Sequence, residues 1–342
     1  MKNNIKILLL VLSALSLTGC YEDYVKDYEY SAAYIAYQYD LRSLVVGEGM
    51  TFDFGAVIAG VMEKPEDKNV RFVIDDELVN GDLSAFGGEA PFTAIDGMKG
   101  TAPVGVLSQR YVTEAVTAAS LSSLEPMPAS YYKVSGNGII TVGKGQHTGT
   151  VTFTADAAAM LADDHVGRDP FYAIGYRIVS ADVDTVLLSK SFGVIALRCE
   201  NTFFGNWYHG GKSVVTNASG EVSEESYPTK IPADDNTFEV YSLTTDTPYS
   251  VTVNFFHNTK GQSMTITQED GQIKVSSADG RITDQGSSWN KSKLLQDRKL
   301  FLNYSYTSAD GSVTEVRDTL TFRNRIRDGI NEWQDENPEH YN

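Results

Sequence analysis

Cysteine is nearly absent from the 342 residues: there are two, Cys20 and Cys199. No cysteine pair has the short spacing of a zinc site, and stability cannot rest on a set of disulfides. The histidines, His147, His165, His209, His257 and His340, are too scattered to place two imidazoles on one helix face. Positive charge is short as well: 28 Lys and Arg stand against 45 Asp and Glu, a net charge of −17. Phosphate binding needs a basic footprint, so nucleic acid is excluded as a partner, and so is a polybasic membrane patch. The apolar run at residues 7–17 is shorter than the roughly 20 residues of a membrane-spanning helix. Gly-x-Ser-x-Gly is missing. Gly138 with Gly143-Lys144 is followed by Gly145 where a phosphate loop needs Ser or Thr. Asp163-Asp164-His165 reads as a solvated loop, and Asp182 with Asp184 supplies too few oxygens for calcium. No catalytic residue, metal ligand or cofactor site is assigned, and an enzyme is not expected.

What is present begins with Lys2, Lys6, the apolar run and Leu17-Thr18-Gly19-Cys20: a positive n-region, an h-region and a small-residue cleavage site. A cysteine directly after Leu-Thr-Gly resembles the bacterial lipoprotein box, which implies cleavage before Cys20 and lipidation of it. Residues 1–19 carry two lysines and no acid, so their removal takes the charge from −17 to −19. The following Tyr21-Glu22-Asp23 and Asp27-Tyr28-Glu29 form an acidic tether over 20–30. It resembles the surface-export signal of Bacteroidetes lipoproteins, which implies an outer-membrane lipoprotein facing the exterior and held by its lipid alone. Cys199, after the apolar run 194–197, is expected to be buried and inert.

The rest reads as all-β. Aromatics are plentiful, with 19 Tyr and 15 Phe, and short β-branched or aromatic runs recur between polar turns. In 31–198 the strand candidates are 33–37, 50–57, 69–74, 139–142, 148–154, 171–180, 186–189 and 192–197, with one helical turn at 157–161 and another helix near 112–119. This is expected to be an Ig-like antiparallel β-sandwich. In 199–342, strands are expected at 238–241, 249–256, 264–267, 273–275, 300–306 and 314–322, forming an antiparallel barrel or sandwich. Tyr249, Val251, Val253 and Phe255 alternate with polar residues, as do Leu300, Leu302, Tyr304 and Tyr306. Gly205-Asn206-Trp207 resembles the first-strand motif of lipocalins, which tilts the choice to a barrel.

Pro128 with Tyr131-Tyr132, Gly138-Ile139-Ile140 with Gly143, and Tyr172-Ala173-Ile174-Gly175-Tyr176-Arg177-Ile178 carry a further resemblance. It is to the uncharacterised N-terminal domain (DUF1735-like) of Bacteroidetes surface lipoproteins in glycan-utilisation loci. The usual proline of the last element is replaced here. Asp318-Thr319-Leu320-Thr321-Phe322-Arg323-Asn324-Arg325, Asp328-Gly329 and Trp333 resemble the C-terminal domain that often follows it (DUF4361-like). The resemblance implies a non-catalytic surface lipoprotein that binds a glycan or polysaccharide and works with an outer-membrane importer complex. Some relatives carry a glycosidase barrel as the second domain; the 199–342 segment is too short for one, which takes about 250 residues.

Sugar rings stack their C–H faces on aromatic side chains while their hydroxyls bond to amides and carboxylates. The ligand-binding candidates are therefore Trp289 and Asn290 in a polar loop, Trp207 and Tyr208 at a strand start, and Trp333 near a polar terminus. For Trp207 and Tyr208 a role in the core or in barrel closure competes, and Trp333 could dock the tail. Arg323 and Arg325 are expected to pair with nearby acids. A protein-binding adhesion or structural role is the alternative function.

Overall fold

The computed structural model describes residues 30–61, 64–80, 124–228, 239–254, 256 and 262–335. Cys20, most of the tether and the helix expected near 112–119 lie outside them. The architecture is all-β: two curled sheets face each other and are followed by a nearly closed antiparallel barrel. No helix among the described residues is long and apolar enough to cross a membrane.

One sheet of the first domain contains β1 (Ala32–Tyr34), β3 (Thr51–Ala59), β6 (Tyr132–Val134), β8 (Thr148–Ala155) and β10 (Thr185–Val186), in the order β10-β1-β3-β8-β6. The other contains β2 (Tyr39–Val45), β4 (Lys68–Ile74), β7 (Ile139–Val142), β9 (Tyr172–Ala181) and β11 (Phe192–Glu200), in the order β2-β11-β9-β4-β7, with β5 (Glu125–Pro126) beside β9. The sheets are mixed rather than purely antiparallel. β1 runs parallel to β10, β2 to β11 and β5 to β9. For the first two pairs the cause is a change of sheet early in the chain. After β1 the backbone crosses the sandwich and continues as β2, so each half meets a late strand in parallel. β11 reaches Glu200, with Cys199 and Glu200 still paired to Leu44 and Val45. The expected helical turn forms at Ala157–Leu161, capped by Asp156, whose side chain accepts from the Ala159 N–H.

The sandwich core is fed by both inner faces, with Phe54 and Phe153 from one sheet meeting Val70, Phe72 and Tyr176 from the other. Cys199 is buried among them, and its thiol is pushed up to about 12, first by burial and then by the neighbouring Glu200. The second sheet is also covered on its outer face, where Leu41, Leu78, Val79 and Phe192 cluster. Gly175, which stands in the Tyr-Ala-Ile-Gly strand, is needed for that cover. A Cβ there would lie 2.4 Å from the Asp75 carbonyl oxygen and 2.8 Å from Leu78 Cβ. The aromatic positions of the same motif tie down a loop: Tyr131 and Tyr172 both donate to Asp163, at 3.1 and 2.6 Å. Those bonds, with the His165 N–H, hold Asp163 well below the usual carboxylate range, at about 2.

The second domain follows the path β17-β16-β15-β14-β12-β21-β20-β18. These are β12 (Gly205–Thr216), β14 (Val240–Thr247), β15 (Ser250–Val253), β16 (Met264–Glu269), β17 (Gln272–Ser276), β18 (Ile282–Asp284), β20 (Lys299–Thr307) and β21 (Val313–Arg327). β13 (Val222–Tyr227), β19 (Ser288–Trp289) and β22 (Ile330–Glu332) add to β12, β20 and β21. All its pairings are antiparallel, and the choice between barrel and sandwich resolves to a barrel. Leu300, Leu302, Tyr304 and Tyr306 alternate inward as expected, whereas Tyr249 is exposed ahead of its strand. The β16–β17 hairpin turns on Asp270 and Gly271, both at positive φ (50° and 71°), the pair a type I′ turn requires. The seam between β17 and β18 is drawn together by Asp284, which accepts from the Val275 N–H at 3.3 Å.

The domains meet through buried charge. Glu48, in the β2–β3 turn, projects into the barrel domain and takes both oxygens to arginines there. Arg325 donates to Oε1 at 3.0 Å and to Oε2 at 2.6 Å, and Arg298 donates to Oε1 at 2.7 Å. Burial alone would push Glu48 up, but the two guanidiniums outweigh it and hold the carboxyl below its ordinary value. Arg325 is completed by Glu332 at 2.6 Å and by the Phe204 ring, and Arg298 by the Thr202 and Lys293 carbonyls. A second contact joins Ser43 of β2 to Asp328, whose carboxylate accepts from both the Ser43 N–H and hydroxyl.

Gly175→Ala should cost about 1–3 kcal/mol through overpacking between β9 and the 77–80 turn. Urea unfolding of the two proteins checks this; an unchanged midpoint would show that the close approach is not a constraint.

Candidate functional site

Each sequence candidate occupies a definite place in the barrel domain. Trp207 points into the barrel and is fully buried. Its Nε1 donates to the Phe203 carbonyl at 2.9 Å and its ring meets Phe322 edge-on at 5.3 Å. It leaves no surface to a ligand, and the core role that competed for it is the one it fills. Trp289 is half-buried on β19. Its ring packs edge-on against Phe203 at 5.1 Å, and its Nε1 reaches the Gly271 carbonyl at 3.3 Å. That bond ties the β20 edge to the β16–β17 hairpin across the barrel seam. Asn290 is occupied in its own loop: its amide donates to the Asp297 carbonyl and accepts from the Ser292 and Lys299 N–H groups. These residues are used by the fold because a strand that ends a barrel must be fastened by side chains where its ladder stops.

Tyr208 and Trp333 are different. Tyr208 lies half-buried on the outer side of β12, with the Arg323 guanidinium over its ring at 5.6 Å. Trp333 is 57% exposed just beyond β22. Between them runs a row of side-chain amides that joins four strands. Ser242 donates to Asn206, Asn206 to Asn324 at 3.2 Å, and Asn324 to Asn331 at 2.6 Å. A shift of register between Asn206 and Trp207 opposite β21 sets Asn206 against Asn324. Each amide has two N–H donors and an oxygen with two lone pairs, so the row keeps bonding capacity after linking to itself. The result is an amide row on the barrel's outer face with an exposed indole at its end. Asn206 and Asn324 stand in motifs that the sequence marks for fold, and a binding role for them and Asn331 is not legible there, because polar residues facing outward look like any solvated strand face.

The barrel interior holds the strongest departure from an apolar core. His209 is buried with Nδ1 2.8 Å from Glu239 and Nε2 2.9 Å from Asp318, and its ring stacks on Tyr241 at 4.4 Å. Tyr304 donates to Asp318 at 3.2 Å. Burial disfavours the imidazolium, but the two carboxylates outweigh it and raise the His209 pKa above its ordinary value. The arrangement favours the protonated over the neutral histidine; no metal-ligating group of three or more His, Cys, Asp or Glu side chains occurs among the described residues.

The fold and these surfaces define a class: a β-sandwich joined to an antiparallel barrel, with an amide row on the barrel's outer face and a buried histidine beside acids within it. No family model matches the chain, and no curated protein matches its sequence. Among solved structures it is similar to a Bacteroides ovatus protein of unknown function, at 16% identity with a TM-score of 0.58, over 91% of this chain and 99% of that one. That likeness shows the fold. A multidomain Bacteroides ovatus protein including DUF1735 is similar at 10% identity with a TM-score of 0.38, over 89% of this chain and 100% of that one.

Because the folded pKa of His209 is raised, its contribution to stability is complete below the unfolded value of about 6.5 and is lost as pH rises through the folded value. Wild type should therefore lose stability relative to His209→Gln as pH is raised from about 6.5. Parallel thermal curves from pH 5 to pH 9 would contradict a charged His209.

Proposed function

We propose that the protein is a non-catalytic, lipid-anchored receptor of the outer cell surface that holds a glycan for an outer-membrane uptake system. The anchor and location rest on the resemblance of Leu17-Thr18-Gly19-Cys20 and the acidic residues after it to surface lipoproteins. The observation that carries the binding role is the exposed Trp333 at the end of the Asn206–Asn324–Asn331 row. An exposed indole offers a large apolar face at little entropy cost, and the amides both donate to and accept from hydroxyls. The surface is open and suits a chain of sugars rather than a single enclosed ring. The charge of −17 favours neutral polysaccharides over acidic ones.

A second reading, adhesion to another protein, draws on the same hairpin. Ile326 and Ile330 are exposed there at 50% and 65%, one on each face of the hairpin. The two readings separate in a competition experiment. Capture of a surface protein that is lost in Ile330→Asp and unaffected by added glycan favours adhesion.

Affinity electrophoresis through gels containing a panel of neutral polysaccharides tests the glycan reading. One polysaccharide should retard wild type, Trp333→Ala should weaken that at least about tenfold, and Tyr249→Ala, exposed away from the row, should not. Absence of retardation across the panel would remove the proposal.

A further inference from the structure

A second site lies in the first domain, where the chain changes sheets between β1 and β2. There the two sheets part, and a cleft of about 200 Å³ opens between them. Phe54 and Ile195 form an apolar floor, Asp40 and Arg42 of β2 form a wall, and Tyr37 and Asp53 stand at the mouth. Asp40 and Arg42 are on the strand face that carries Leu44 into the sandwich core, an unusual place for two charges. Asp40 is held by the Leu41 N–H at 2.9 Å and by Arg42 at 2.8 Å. The Arg42 Nε is buried and meets no acceptor among the described residues. Tyr37 is 55% exposed above this wall. A packed core has no use for a half-satisfied guanidinium, a buried carboxylate and an aromatic ring left in solvent around one hole.

We propose that this cleft binds one neutral sugar ring. The charges around it select against ions of either sign. Asp40 and Asp53 repel an anion, the guanidinium of Arg42 already compensates Asp40 so that a cation meets only Asp53 at the mouth, and the apolar floor cannot replace an ion's hydration. A pyranose meets all of these surfaces. Its C–H face lies on Tyr37 and the floor, and adjacent hydroxyls donate to Asp40 and accept from Arg42, which stand side by side. The proposal shares its ligand class with the hairpin reading but rests on different residues, in a different domain. On it, the protein takes a polymer on the barrel face and a single residue or chain end in the sandwich.

Saturation-transfer NMR on the full chain, with glucose, galactose and mannose as probes and glucuronate and glucosamine as charged comparators, tests it. At least one neutral hexose should bind saturably in the millimolar range, with the comparators weaker. Tyr37→Ala should weaken that binding at least about tenfold and Arg42→Gln should weaken it measurably, while Trp333→Ala leaves it intact. No saturable hexose binding, tighter binding of a charged comparator, or binding lost in Trp333→Ala and kept in Tyr37→Ala would each overturn the cleft. The last of these would leave the hairpin reading standing, and loss of polysaccharide retardation alone would leave the cleft standing.

Discussion

One carboxylate holds the two halves of this molecule in register. Glu48 leaves the first domain at a tight turn and ends between Arg298 and Arg325 of the second, all three nearly inaccessible to water. Removing charges from water is expensive, so such a cluster adds little net stability compared with apolar packing of the same volume. Its consequence lies elsewhere: if the domains part, Glu48 loses both its arginines and each arginine loses the carboxylate it faces, and each partner is specific in position. The chain is thereby confined to one relative placement of sandwich and barrel, where a linker such as 201–204 alone would leave domain motion as the default.

That placement bears on the surfaces. β2 carries Asp40 and Arg42 at the cleft, then Ser43 in contact with Asp328, then leads into the turn that presents Glu48. β21 carries Asn324 of the amide row on its outer side and Arg325 on its inner side, and β22 carries Asn331 outward and Glu332 back to Arg325. The residues of both surfaces are therefore neighbours in sequence of the residues that lock the domains. The two aromatic residues, Tyr37 and Trp333, lie in the chain just outside these strands.

Much of the fold was legible from residues. β7 and β20 alternate or run apolar between turn residues, and their limits follow. β2 was not legible at all. Two of its core-facing positions, ahead of Leu44, are Asp40 and Arg42, so the period that marks a half-buried strand is broken by the side chains that make the cleft. β13 was missed because its Ser-Glu-Glu-Ser stretch faces solvent throughout. Tryptophan in a polar loop suggested a ligand platform at Trp289, but a barrel seam also needs a large ring at its edge, and sequence does not tell the two apart. Glu48 gave no sign of its role: its partners lie 250 and 277 residues away, a separation no local pattern encodes.

Calorimetry of the wild-type protein and Glu48→Ala tests the central claim most directly. Domains locked through buried charge should melt together, in one transition whose calorimetric and van't Hoff enthalpies agree. Removing the carboxylate should split that transition into two, one for each domain. Two transitions in the wild type, or a single transition left intact by Glu48→Ala, would contradict the account.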